Sequence, residues 1–106
     1  LRFAGWTLDP DERTLLDPQG LSVVLSSGEF ALLAAFVAHP RRVLSRDQLL
    51  DWTRGDEAYS VDRAIDVQLS RLRKKLGDDP RDPQLIKTVR GDGYLFAAEV
   101  RKERGR

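Results

Sequence analysis

Apolar residues change their spacing three times along the chain. Over the first 25 residues they come in short runs, LRFAGWTLD, RTLLD and LSVVL, punctuated by Asp9-Pro10 and Pro18-Gln19-Gly20. Asp-Pro and Pro-x-Gly favour turns, and the runs between them are of strand length. They predict a small antiparallel meander with Phe3, Trp6 or Leu8, Leu15, Val23 and Leu25 on its inner face. From Ser26 the spacing becomes helical: Phe30, Leu33, Ala34 and Val37 recur three and four apart, and Pro40 ends the segment. Ser26 and Glu29 have the spacing of a capping box, which Ser45 and Gln48 repeat before a short helix closing near Trp52. Arg42-Val43-Leu44, between these helices, can add a short strand.

The longest regular segment, VDRAIDVQLSRLRKKL, covers 61–76 and is stopped by Gly77-Asp78-Asp79-Pro80. On a wheel of about 100° per residue, Val61, Ile65, Leu69, Leu72 and Leu76 fall within about 80° of arc, which marks the core face. The opposite face centres near Lys74 and holds Arg63, Val67, Ser70 and, at one side, Arg71. A valine among polar neighbours on a solvent face suits a helix that reads a DNA groove, offering methyls to thymine beside Arg and Ser hydrogen-bonding groups. Arg73, Lys74 and Lys75 crowd the C-terminal end, where they can meet phosphates or simply complement the helix dipole. Asp62 and Asp66 lie on one flank, and Asp66 is placed to orient a neighbouring arginine. Beyond the stop, LIKTV and YLFAA around RGDG read as a β-hairpin. Lys87 and Arg90 make its tip basic, and the glycines allow close approach to a sugar-phosphate backbone or a minor groove.

Composition alters this picture in two ways. The chain has 106 residues, one histidine (His39) and no cysteine or methionine. That size gives one domain with a modest core, and it leaves out disulfides, thiolate metal sites and multi-histidine sites. No apolar run reaches the roughly 18 residues of a membrane span, and no signal peptide opens the chain, so a cytoplasmic protein is expected. The missing methionine, with Leu1 first, suggests a segment of a longer protein. The net charge of +1 conceals two opposed halves: residues 1–60 carry −3 and residues 61–106 carry +4. The long helix and the hairpin both fall in the positive half, as an anionic partner requires. Three helices followed by a basic-tipped hairpin form the winged version of a helix-turn-helix, in which the third helix enters the major groove.

At this point the motifs match a known pattern. VDRAIDV, SRLRKKLGDDP and IKTVRGDGYLF resemble the C-terminal effector domain of the OmpR/PhoB family of bacterial response regulators, and LSSGEFALLAAFVAHPRRVLSRDQLL resembles its first two helices. The resemblance implies an α+β winged helix-turn-helix with an N-terminal four-stranded antiparallel sheet, three helices and a C-terminal hairpin wing. Residues 1–100 would form this domain, with the sheet over 1–25, the helices over 26–76, the wing over 84–98 and a fraying tail over 101–106. It also implies the output half of a two-component regulator, with a phosphorylatable receiver domain upstream and a sensor histidine kinase acting on it. Such a domain binds tandem direct repeats in promoter DNA, as a monomer alone and a dimer on DNA, and needs no cofactor. Carried over by position, Val67, Gln68 and Arg71 match major-groove base contacts, with Arg63 and Ser70 on the same face. Gln68 lies only at the edge of that face on the wheel. Arg73 and Lys74 match phosphate-facing positions, with Lys75 beside them, although in some members the position of Arg73 braces the helix through an acidic partner. Thr88 matches a phosphate contact near Lys87, and Arg90 matches the wing arginine of the minor groove. Arg54, Asp56 and Glu57 fall in a loop that resembles the segment facing the sigma or alpha subunit of RNA polymerase. The chain departs from many members at Trp52-Thr53-Arg54-Gly55, where they have tryptophan-glycine, and at Asp92, where they have a neutral residue.

Two other readings compete. A protein-interaction module that has lost DNA binding is compatible with Val67 on an open face and with the acidic loop. An enzyme would have to use Asp78, Asp79 and Asp82, which read instead as a solvated turn and offer too few fixed oxygen ligands for a divalent cation.

Overall fold

The computed structural model describes residues 1–53, 62–79 and 81–102, with 62–64 described by backbone alone. The chain begins with strands β1 (Arg2–Phe3), β2 (Trp6–Asp9) and β3 (Thr14–Leu16), antiparallel and side by side in that order. Helices α1 (Ser27–Ala38) and α2 (Arg46–Thr53) flank a two-residue strand, β4 (Val43–Leu44). Helix α3 (Asp62–Lys75) follows, and strands β5 (Ile86–Val89) and β6 (Gly93–Phe96) form the terminal hairpin. β4 joins that hairpin, giving a second sheet in the order β4-β6-β5. The α+β class and the winged arrangement follow the sequence reading; the first sheet does not.

Two departures alter the first sheet. The run LRFAGWTLD is not one strand but two, reversed at Ala4-Gly5 in a two-residue hairpin loop that pairs Phe3 with Trp6. Both loop residues have positive φ, 46° and 87°, as a type I′ turn demands, and alanine at the first disguises the turn. The expected fourth strand, LSVVL, shrinks to a single bridge between Leu16 and Ser22 and one bond from Val23 N–H to the Leu15 carbonyl. Val24 is 80% exposed, so no sheet face holds it, and its carbonyl accepts instead from Lys75 Nζ at 3.0 Å. The sheet therefore has three strands. At the start of the expected tail, Arg101 pairs with Arg2 through two backbone bonds of 2.7 and 2.8 Å, while 103–106 lie outside the described residues.

Both helix starts form as their capping residues dictate. Ser26 Oγ accepts from Glu29 N–H at 3.1 Å while Glu29 accepts from Ser26 N–H at 2.9 Å. Ser45 and Gln48 exchange the equivalent pair at 3.1 and 2.9 Å. These bonds satisfy amides that a helix cannot satisfy internally. Phe3, Leu8, Leu15, Leu33, Phe36, Leu49, Ile65, Leu69, Leu72 and Phe96 fill one core. Trp6 and Leu8, two apart in β2, both face it. Phe96 joins the layers, its ring meeting Phe3 edge-on at 5.1 Å and Phe36 at 6.1 Å.

Helix α3 is fastened to the start of α1 by charge. Lys75 Nζ lies 2.7 Å from the carboxylate of Glu29, a side chain only 4% exposed. Burial pushes the Glu29 carboxyl up, but the hydrogen bond and charge of Lys75 and the bonds with Ser26 together outweigh it and hold the group below its ordinary value. A depressed pKa means stabilisation that is complete above the ordinary 4.5 and is lost as the pH falls through the folded value. Lys75→Ala removes the counter-charge and leaves Glu29 buried; because Lys75 is itself partly exposed, the expected cost is about 1–2 kcal/mol. Urea unfolding at pH 7 and at pH 3 checks this: the gap between wild type and variant should narrow on acidification.

Candidate nucleic-acid interface

The candidate interface is built on the outer face of α3. Ile65, Leu69 and Leu72 on the opposite side are at most 2% exposed, so burial of that stripe fixes the rotation of the helix. The rotation leaves Val67 43% exposed, with Ser70, Arg71 and Lys74 open to solvent around it. The fold leaves a large part of this apolar side chain to water, and a groove partner would cover it. At the wing, Lys87, Arg90, Gly91 and Asp92 are exposed, and the pairing of Val89 with Gly93 closes the turn beneath them. Asp92 N–H donates to the Val89 carbonyl at 2.9 Å, which shapes the tip. Gly93 has φ of 141°, and a Cβ there would overlap the Leu44 carbonyl, so the hairpin lies directly against β4.

Several residues assigned from the sequence face elsewhere. Arg73 points at the wing: its Nε and Nη2 donate to the Ile86 carbonyl at 3.0 and 2.7 Å, and Nη2 donates to Thr88 Oγ1 at 3.0 Å. It is a brace, and its partners are a carbonyl and a hydroxyl rather than a carboxylate. Thr88 stays exposed, but its hydroxyl is occupied by Arg73. Lys75 turns to Glu29, as described above, because the buried carboxylate needs a cation. Gln68 is half-buried with its amide laid across Gly28 of α1, where any β-carbon would collide with it. The backbone of Arg63 lies in the first turn of α3. Arg54, Asp56 and Glu57, and Val61 of the core stripe, lie outside the described residues.

Two residues emerge here that the sequence reading did not single out, and a third takes a role other than the solvated turn expected of it. Arg46, at the start of α2, donates through Nη2 to Asp66 Oδ1 at 2.7 Å and to the Tyr94 hydroxyl at 3.3 Å. Tyr94 in turn donates to the same Asp66 oxygen at 2.8 Å. The Arg46 hydrogen bond foremost, then that of Tyr94, hold the Asp66 carboxyl below the ordinary range, and burial together with Asp66 raises the Tyr94 phenol. Asp66 therefore does orient an arginine, one twenty positions away. Asp78 is the third: it is buried rather than solvated, and it accepts from the N–H groups of Gln84, Leu85 and Ile86 at 2.8–3.2 Å. It ties the end of α3 to the first strand of the wing. Only its place after Gly77 hinted at this, and that hint does not distinguish it from Asp79.

Comparisons with known proteins agree on one family. A family model described as "Transcriptional regulatory protein, C terminal" matches residues 20–96. The transcriptional regulatory protein AruR of Pseudomonas aeruginosa is 52% identical over 97 residues, covering 92% of this chain and 40% of its own length. The regulatory protein VirG of Agrobacterium fabrum is 54% identical over 98 residues, covering 92% and 39%. The chain thus spans about two-fifths of the curated relatives it matches. Among solved structures, the RstA DNA-binding domain of Klebsiella pneumoniae in complex with the RstA box superposes with a TM-score of 0.81 at 42% identity, covering 92% of this chain and 95% of that one.

The bracing geometry of Arg73 carries its own expectation. Lysine keeps the charge but lacks the planar fork that grips the Ile86 carbonyl twice. Arg73→Lys should cost about 1–2 kcal/mol and speed amide exchange in β5 more than in α1, measured by hydrogen exchange and urea melts.

Proposed function

The chain belongs to the family of transcriptional regulatory protein C-terminal domains, the effector domains of OmpR/PhoB-type response regulators, and from that membership we propose that it binds double-stranded promoter DNA in a sequence-specific manner. The observation that carries this reading is the exposed face of α3, where Val67, Ser70, Arg71 and Lys74 stand together while the buried stripe locks the helix rotation. Val67 and Arg71 read bases in the major groove, with Ser70 beside them and Arg63, four positions before Val67 in the sequence, as a further contact. Gln68 contributes only from the edge, since its amide is engaged at Gly28. Lys74 and Lys87 neutralise phosphates, and Arg90 at the wing tip enters the minor groove. Arg73 and Lys75 support the helix from behind, and Thr88 serves mainly as the acceptor of Arg73. No catalytic role is assigned, in keeping with a family of DNA-binding regulators.

The whole protein would place a receiver domain before this one, phosphorylated by a sensor histidine kinase, and would work in the cytoplasm. Dimerisation of that receiver sets two copies on tandem direct repeats, and the segment with Arg54, Asp56 and Glu57 is the proposed contact for a sigma or alpha subunit of RNA polymerase. No helix among the described residues is long and apolar enough to cross a membrane.

Sites selected from random DNA should consist of a half-site repeated directly at about one helical turn. On the selected DNA, Arg71→Ala should cost about 1–3 kcal/mol and relax preference at one position. Lys74→Ala should weaken selected and scrambled DNA alike and lower the slope of log affinity against log salt by about one. Equal wild-type affinity for selected and scrambled DNA at physiological salt would sink the proposal and favour a protein-interaction module.

A further inference from the structure

Among the described residues, side chains of α3 hydrogen-bond the wing at two points, and the second has no part in the groove contacts described above. Arg73 grips β5 through the Ile86 carbonyl and Thr88. Asp66 grips β6 through the Tyr94 hydroxyl. These two residues are seven positions apart, which in an α-helix is two turns, so they share one flank and stand about 10 Å apart along the axis. Tyr94 connects the two grips, since its hydroxyl is on Asp66 while the guanidinium of Arg73 lies 6.0 Å over its ring. Arg46 completes the Asp66 end by bringing in the start of α2. A hairpin held at one point can pivot about that point. Held at two, with its middle strand also jammed against β4 at Gly93, it has a fixed direction.

Resting on the DNA-binding reading, we infer that Asp66, through Tyr94 and Arg46, is a positioning residue that sets the spacing between the reading face of α3 and the Arg90 tip of the wing. The major-groove and minor-groove contacts are made by parts of the chain some twenty residues apart, and both can be satisfied together only when that spacing matches the duplex. The clamp prepares that spacing before DNA arrives. Asp66 is suited to the task because an anion on the flank of a DNA-facing helix repels phosphate unless it is neutralised, and Arg46 at 2.7 Å neutralises it. Its partners are therefore required for the helix to approach DNA as well as for the wing to hold its angle.

Tyr94→Phe removes one hydroxyl and keeps the buried ring, and Asp66→Asn keeps the shape and removes the charge. The chain has no cysteine of its own, so Ser70→Cys with Asp92→Cys gives a clean pair of spin labels, one on α3 and one on the wing tip. Without DNA, the distance distribution should be narrow in the otherwise unchanged chain and broader with either clamp variant. On selected DNA, with native Ser70 and Asp92, each clamp variant should lose about five- to tenfold in affinity, as when the competent geometry is populated only a fifth to a tenth of the time. Affinity for scrambled DNA should be unchanged in Tyr94→Phe and unchanged or raised in Asp66→Asn, a split that general destabilisation would not produce. Unchanged distances overturn the clamp whatever the DNA results, and broadened distances with full discrimination overturn its role in binding. If the wild-type chain fails to discriminate at all, the DNA-binding reading falls instead, and the DNA-free distances still decide whether the clamp exists.

Discussion

The guanidinium of Arg73 lies on the carbonyl of Ile86, and the relation between helix and wing starts from that contact. The first residue of β5 turns its backbone carbonyl away from β6, toward the open edge of the sheet, and a planar fork satisfies it there from outside. The consequence runs in both directions. The strand begins where the arginine holds it, and the arginine, drawn inward, leaves the outer face of α3 to Val67, Ser70, Arg71 and Lys74. Asp78 repeats the logic just past the end of the helix, with a buried carboxylate gathering three successive amides at the entry to β5. The wing is therefore anchored at its base by groups from α3 and from the turn that ends it, while its tip stays uncovered.

What could be read from the sequence was whatever repeats locally. Ser26 with Glu29 and Ser45 with Gln48 announce their helices because capping chemistry acts over three residues. Ile65, Leu69 and Leu72 announce the core face of α3 because a period of 3.6 is visible in one segment. From these the class of fold, the exposed Val67 and the basic wing tip all follow. What escaped depends on distance along the chain or on an atypical residue. Lys75 and Glu29 are 46 apart, Arg46 and Asp66 are 20 apart, and Asp66 and Tyr94 are 28 apart. No local pattern selects such partners, and so Arg73 and Lys75 looked like two more cations for phosphate. The Ala4-Gly5 turn was hidden for a different reason: alanine seldom takes positive φ, so the run around it read as one strand.

The charge polarity of the chain also takes on a structural meaning. Its positive half is not uniformly an attractive surface. Of the basic residues in the last two turns of α3, Arg73 and Lys75 face the protein and Arg71 and Lys74 face outward. Alternation along the helix thus divides four cations equally between holding the domain together and presenting it. Asp66, an acid on the same helix, sits among them already matched by Arg46. The field at the outer face is set by this sorting more than by the net charge.

The bridge between Arg2 and Arg101 places the two ends of the described chain side by side. In the terms of topology, the fold is nearly a closed loop that happens to be open at that seam. A short peptide joining the seam would make the chain circular, and new ends could then be cut at the Asp17–Leu21 turn, which is exposed and held by its own bonds. Such a permuted chain would keep the α3 face and the wing in one uninterrupted stretch. Whatever is attached to the domain at the seam, on either side, would be attached at one place, and would turn the reading head as a single rigid body.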